Sequence, residues 1–341
     1  MGLFSFFTKE IAVDLGTANT LIVHNDQIVI NEPSIIAINR KDNKLQAVGD
    51  EALRMQGRTH EDIKVIRPLK DGVIADFQAA ELMLVEFLRK MNNRQKSLFP
   101  PSLKVVVCIP SGITEVEERA VRDSAEQAGA RDVRLIYEPM AAAIGIGLDV
   151  LEPEGNIVVD IGGGTSEIAV ISLGGIVQQT SIKIAGDEFN QDIMDYIRRE
   201  HSMSIGERTA ELVKIHVGAA MTDIENPPEP YEVHGRDLLT GIPKAIKITH
   251  QEIAEALDNS ISQVEVAVMN ALEKTPSELS ADIYTAGIYL AGGGALLRGL
   301  DKRLHLKTKL QIHVAEEPLQ AVARGTAVAL KNFDRFPFLI K

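Results

Sequence analysis

A single cysteine, Cys108, occurs in the 341 residues, so no intrachain disulfide can form. It lies within Lys-Val-Val-Val-Cys-Ile-Pro (104–110), where a buried, reduced strand thiol packs as a small hydrophobe and is no nucleophile. A reducing, cytosolic setting is the expectation. Positive charge is also scarce: 36 Lys and Arg against 48 Asp and Glu leave a net charge of −12. That balance argues against a nucleic-acid binder, which needs a basic face. No apolar run approaches the ~20 residues that span a bilayer. The start, Met-Gly-Leu-Phe-Ser-Phe-Phe, lacks the basic flank and long apolar core of a secretory leader. Phe6 also stands where a myristoylation pattern requires Ser or Thr. None of the eight histidines has metal-ligand spacing, and His234, His250, His305 and His313 are expected at the surface.

What is present is an ordinary globular composition, 45% apolar and 25% charged, in a chain long enough for two lobes. Residues 10–23 read as an apolar strand, a tight turn over Asp14, Gly16, Thr17, Ala18, Asn19 and Thr20, and a second apolar strand. Converging backbone N–H groups in such a turn make an anion site without a basic side chain. Asp14, at the strand end, suits a hydrated Mg²⁺ that bridges phosphates. A hairpin with no ligand is the plainer alternative. Residues 156–171 repeat the plan, with Asp160, Gly162, Gly163, Gly164 and Thr165 at the turn. Two equivalent turns suggest duplicated halves holding a polyphosphate. A third turn, Gly292, Gly293, Gly294 and Ala295, follows an apolar strand and opens a helix.

In this order the three turns resemble the actin, sugar kinase and heat-shock chaperone ATPase superfamily. Within it, five stretches are similar to MreB, the bacterial actin family. They are Asp-Leu-Gly-Thr-Ala-Asn-Thr (14–20), Arg-Pro-Leu-Lys-Asp-Gly-Val-Ile-Ala-Asp-Phe (67–77), Pro-Ser-Gly-Ile-Thr-Glu-Val-Glu (110–117), Glu-Pro-Met-Ala-Ala-Ala-Ile-Gly (138–145) and Gly-Gly-Gly-Ala-Leu-Leu-Arg-Gly-Leu (292–300). The resemblance runs from about residue 10 to about 330. It implies an α/β, actin-like fold of two RNase-H-like lobes, each with a small inserted subdomain, and nucleotide in the cleft between them. Lobe I is expected over 1–150 with its insert at about 32–66, and lobe II over 151–341 with its insert at about 185–245. The C-terminal segment, about 315–335, is a candidate to return to lobe I.

ATP hydrolysis requires held phosphates, a metal and an oriented water. Asp14 and Asp160 are the candidates to order Mg²⁺ through water, with ATP the expected nucleotide and GTP left open. Glu138, in Tyr-Glu-Pro, can polarise a water, or can simply be a carboxylate favoured at a helix N-terminus. The resemblance assigns it the attacking water, with Thr165 assisting and sensing the γ-phosphate. Glu211 and Lys214, at i and i+3, are a surface ion pair on local reading. The resemblance places them at ribose and base, with Gly292 to Ala295 closing the adenine side. His216 and Arg324 depart from the family pattern. The family further implies ATP hydrolysis coupled to filament assembly, partners in the wall-elongation machinery and a role in rod shape. A chaperone ATPase would need a substrate domain, for which the chain leaves no room after Lys341. A small-molecule kinase would need a further general base that the motifs do not offer.

Along the chain, turns are expected at 31–33 and 42–43 and polar helix or loop over 50–65. A helix follows Asp76, with Phe77, Ala80, Leu84, Phe87, Leu88 and Met91 on its apolar face. Thr114 and Glu117 have capping-box spacing for a helix at 115–128. Further helices are expected at 206–221, 250–258 and 259–274. Between Arg89 and Lys104 the charged residues are all basic, and the stretch contains Leu98 and Phe99 before two prolines. Leu3, Phe4, Phe6 and Phe7 form a second apolar group. Apolar insertion with basic attraction predicts peripheral binding to the inner face of the cell membrane. Leu98 and Phe99 packing on their own lobe is the alternative.

Overall fold

The computed structural model describes residues 8–93, 102–333 and 335–341. Leu3, Phe4, Phe6, Phe7, Leu98 and Phe99 lie outside the described residues. The chain divides into two compact units. Unit 1 takes the residues up to Glu154 together with Ile171–Val177 and Leu319–Lys341, and unit 2 takes Gly155–Val170 and Gln178–Pro318.

Unit 1 opens with β1 (Thr8–Leu15), β2 (Asn19–His24) and β3 (Gln27–Pro33), an antiparallel meander. The expected turn at 31–33 is instead the end of β3, because Glu32 and Pro33 still pair with Thr20 and Asn19. A proline is tolerated there because β3 is an edge strand. The inserted β4 (Ile36–Asn39), β5 (Leu45–Val48), α1 (Asp50–Met55) and β6 (Ile63–Ile66) form a small sheet with its own apolar cluster around Ile35, Ala37, Ala47 and Ala52. A two-stranded hairpin, β7 (Leu69–Lys70) and β8 (Val73–Ile74), precedes α2 (Phe77–Asn93). Asp76 caps α2, its Oδ1 accepting from Ala79 N at 3.0 Å. Ala80, Leu84, Phe87, Leu88 and Met91 are buried as the pattern predicts, whereas Phe77, in the first turn, is 43% exposed.

Next come β9 (Ser102–Ile109), α3 (Glu115–Gln127), β10 (Ala130–Tyr137) and α4 (Glu138–Ile146). The capping box at Thr114 and Glu117 is formed. Strands β1, β9 and β10 run parallel in the order β10-β9-β1-β2-β3. Cys108 is a buried free thiol on β9.

The second large sheet has the order β13-β12-β11-β17-β18. Its strands are β11 (Asn156–Ile161), β12 (Ser166–Ser172), β13 (Gly175–Ile182), β17 (Ile288–Ala291) and β18 (Ile312–Val314). Between β13 and β17 lie α5 (Gly186–His201), β14 (Met203–Ser204), α6 (Glu207–Val217), β15 (Tyr231–Asp237), β16 (Pro243–Ile248), α7 (His250–Glu273) and α8 (Ser277–Ala286). Helix α6 stops four residues before the expected 221, because the chain turns at Gly218 and Ala219 bridges to Arg298.

The two helices expected over 250–274 are one helix of 24 residues. The poor helix formers Asp258, Asn259 and Ser260 sit inside it. Burial of Leu257, Ile261, Val264 and Val268 overrides local propensity, and Ser260 Oγ donates to Asp192 Oδ2 at 2.5 Å. His250, expected at the surface, is buried, its Nε2 3.1 Å from Thr222 O. Helix α9 (Leu300–Thr308) follows a 3₁₀ turn at Gly293–Leu296, and α10 (Ala321–Lys331) belongs to unit 1. There α10 crosses α4 backbone to backbone. A Cβ at Gly145 would collide with Ala321 O, and one at Gly325 with Ala141 O. Among the described residues no helix is long and apolar enough to cross a membrane.

Candidate functional site

In unit 1 the parallel strands β1, β9 and β10 end together. Asp14 is level with Cys108, and Tyr137 with Ile109. The turn 16–19, after β1, and Glu138, after β10, therefore lie just past the carboxyl ends of parallel strands on either side of β9, the place where open α/β sheets take ligands. The turn is tight enough that a Cβ on Gly16 would lie 2.8 Å from Asn19 O. Ser34 holds it from outside: its Oγ donates to Gly16 O at 2.6 Å, and its N–H to Ala18 O at 2.9 Å. Thr20 and Ser34, both fully buried, bring their hydroxyl oxygens within 2.9 Å. Thr17 Oγ1 accepts from Gly72 N at 3.2 Å, so the Asp71-Gly72 turn of the β7–β8 hairpin rests on this loop. Asn19 faces solvent. Asp14 is buried, and that desolvation pushes its carboxyl up to about 7.

The same construction recurs in unit 2. Strands β11, β17 and β18 run parallel, with Asp160 level with Ala291. Gly162 N donates to Thr165 O at 2.9 Å, and a Cβ on Gly162 would lie 3.3 Å from that oxygen. Position for position this is the Gly16–Asn19 turn. Gly186 N donates to Gly162 O at 3.1 Å and Asp187 N to Gly163 O at 2.7 Å, the work that Ser34 does in unit 1. Ser166, the counterpart of Thr20, is fully buried and donates to Ile184 O at 2.5 Å. Asp160, Gly164 and Thr165 are buried, and Gly162 and Gly163 half-buried.

Glu211 and Lys214 form the ion pair on α6, 2.8 Å apart. Lys214 Nζ also donates to Gly186 O at 2.9 Å, and Asn190 Nδ2 donates to Glu211 Oε2 at 2.7 Å. The pair is thereby anchored to the start of α5, beside the Gly162 turn. Gly292, at φ +76°, lies against β11: a Cβ would collide with Ile161 O and Asp160 Oδ1, and one at Gly294 with Ile161. Two of these three glycines are thus required by packing against the Asp160 strand itself. Ala295 is buried, and Gly293 opens the 3₁₀ turn.

Each residue of unit 1 expected at the nucleotide gathers at one sheet end, and each of unit 2 at the corresponding end. Sequence reading assigned no role to Ser34, Gly72, Gly186, Asn190 or Arg298. Only the Asp-Gly dipeptide at 71–72, a strong hairpin-turn signal, marks one of them locally. Of the departures, His216 stacks on Tyr231 with ring centroids 4.3 Å apart. No group of three or more metal-ligating side chains occurs among the described residues.

Two sheets of one strand order, each closing on an Asp-x-Gly turn, define an actin-like α/β protein. The backbone superposes on a chain of the MamK double helical filament with a TM-score of 0.79 at 20% identity, covering 97% of this chain and 100% of that one, a likeness of fold alone. The MreB/Mbl protein family model matches residues 8–337, and the chain belongs to that family. It is 48% identical to the cell shape-determining protein Mbl of Bacillus subtilis over 97% of this chain and 98% of the relative. It is 49% identical to the cell shape-determining protein MreB of Escherichia coli over 96% and 95%. Among solved structures it is similar to MreB5 of Spiroplasma citri bound to AMPPNP, with a TM-score of 0.90 and 40% identity over 96% of this chain and 97% of that one.

Proposed function

We propose that this chain binds and hydrolyses ATP, and that the nucleotide cycle drives its assembly into filaments of a cell-shape cytoskeleton. The observation that carries the reading is the Asp-x-Gly turn, built twice at the carboxyl ends of parallel strands and each time braced by hydrogen bonds to its carbonyls from a distant segment. Backbone N–H groups of the 16–19 turn and of 163–165 take the phosphates, while Gly162 N–H closes its own turn on Thr165 O. Glu211 and Lys214 serve the ribose and base, with Gly292 to Ala295 on the adenine side. The solved MreB5 relatives, bound to AMPPNP and to ADP, support a nucleotide of this class.

Asp14 and Asp160 fit a hydrated divalent cation. Burial holds Asp14 at about 7, and a cation beside it lowers that value. Such an ion would neutralise phosphate charge. Glu138, at the N-terminus of α4, orients and deprotonates the attacking water, and Thr165 reads the third phosphate. The names of the relatives support a cell-shape role. We extend it to guidance of wall synthesis through membrane-bound partners, with filaments on the cytoplasmic face of the cell membrane.

The test is Glu138→Ala. ATP affinity should stay within a few-fold while phosphate release falls by roughly 10²–10⁴, the range of general-base loss. Unchanged phosphate release would remove Glu138 from the reaction. Absence of ATP binding by the unaltered chain would overturn the nucleotide reading.

A further inference from the structure

Helix α6, which carries Glu211 and Lys214, ends at Val217 with its last carbonyls facing away from the helix. A helix C-terminus leaves four such carbonyls without intrahelical donors, and it favours a cation. The donor here comes from 80 residues further on: Arg298 Nη1 lies 3.2 Å from Gly218 O and 3.5 Å from Ile215 O. The main chain joins the same two segments. Ala219 bridges Arg298 in parallel, and Ala220 N donates to Arg298 O at 2.8 Å. Space between them is minimal, for a Cβ on Gly218 would lie 3.0 Å from Leu297 Cδ1.

Arg303 fixes the far side of this junction. It donates to Ala220 O at 3.0 Å and is held on α7 by Glu265 at 2.6 Å and Asp258 at 2.9 Å. Arg298 is thus the side-chain link between the two elements assigned above to the nucleoside. It stands on the Gly-rich turn that follows β17, and it grips the end of the helix bearing the Glu211–Lys214 pair.

We propose that Arg298 is a positioning residue for nucleotide binding: it sets α6 against the 292–299 turn, so that Lys214 and Glu211 meet the nucleoside in fixed register. The inference rests on the nucleotide reading above. Arg298 plays an indirect part, through the two elements it joins and not through contact with the nucleotide. It acts through Lys214, and that dependence separates positioning from plain stabilisation.

A double-mutant cycle on the full chain tests it, with Mg-ATP affinity as the readout and the thermal midpoint recorded for every variant. Arg298→Ala should weaken ATP about tenfold, the scale of a lost charge-assisted hydrogen bond. Arg298→Lys, which keeps the charge without the planar fork, should lose less. In a Lys214→Ala background, Arg298→Ala should cost no more than about twofold further. Full additivity of the two losses, or wild-type affinity in Arg298→Ala, overturns the proposal. Should Arg298→Ala fail to fold, Arg298→Lys in both backgrounds decides by the same criterion. ATP binding missing from the unaltered chain condemns the nucleotide reading first and this inference with it.

Discussion

Asp14 sets a cost that the fold bears for its site. A carboxyl whose folded value is about 7, against 3.8 when unfolded, retains its proton longer in the folded chain. Its contribution to stability therefore falls as pH rises from about 4 to about 7. Keeping that carboxylate ionised in its buried place costs on the order of a few kcal/mol above that window. Asp14→Asn should raise the thermal midpoint of the nucleotide-free protein at pH 7.5 and remove the further rise that Mg-ATP produces. Stability traded for a binding function in this way is common at active sites. A lower midpoint for the apo variant would show that the buried carboxylate is held by interactions that offset its desolvation. Glu211 illustrates the other outcome at this scale. Its pairing with Lys214 is the plain i,i+3 ion pair of local reading, yet the lysine is also spent on Gly186 O.

At the scale of elements, the position of Glu138 depends on two glycines. Helix α4 begins at Glu138 and crosses α10 where Gly145 and Gly325 allow the two backbones to touch. Any added methyl must push the helices apart, since its neighbours are carbonyls and not the ends of flexible side chains. Gly325→Ala should destabilise the chain by about 1–3 kcal/mol, the cost of overpacking. Because α4 carries Glu138, phosphate release should fall as well, and denaturant titration with a phosphate assay measures both. Helix α7 teaches the complementary lesson. Its Asp258, Asn259 and Ser260 favour a break, and packing along the Leu257, Ile261, Val264 and Val268 face carries the helix through.

For the whole molecule, the charge of −12 and the proposed membrane contact pull in opposite directions. The basic stretch is weaker than its count suggests. Lys90 is engaged with Glu32 at 2.9 Å, and Lys104 with Glu10 at 3.4 Å and the Phe333 ring at 4.0 Å. In that proposal lipid binding would rest mainly on Leu3, Phe4, Phe6, Phe7, Leu98 and Phe99, multiplied along a filament by avidity. Deleting residues 2–7 together with Leu98→Ser and Phe99→Ser should abolish co-sedimentation of polymer with anionic liposomes and leave ATP hydrolysis unchanged. Raising the salt should loosen the unaltered polymer only partly, since screening acts on the charges and leaves apolar insertion intact. Complete release by salt alone would show that the apolar groups do not carry the attachment.

The residues themselves determined the features whose partners lie a few positions apart. The two Asp-x-Gly turns, the Thr114–Glu117 and Thr249–Glu252 capping boxes and the apolar face of α2 are of this kind, because a turn or a cap closes within one stretch of backbone. Asp14, Gly16, Asp160 and Gly162 were legible for that reason. Tertiary structure alone decided what braces them. Ser34 on Gly16, Lys214 on Gly186, Gly72 on Thr17 and Arg298 on Gly218 join residues 18, 28, 55 and 80 positions apart. No local pattern encodes which serine, lysine or arginine arrives at a given carbonyl. That choice falls to the packing of sheets and helices, as the buried His250 and the unbroken α7 likewise show.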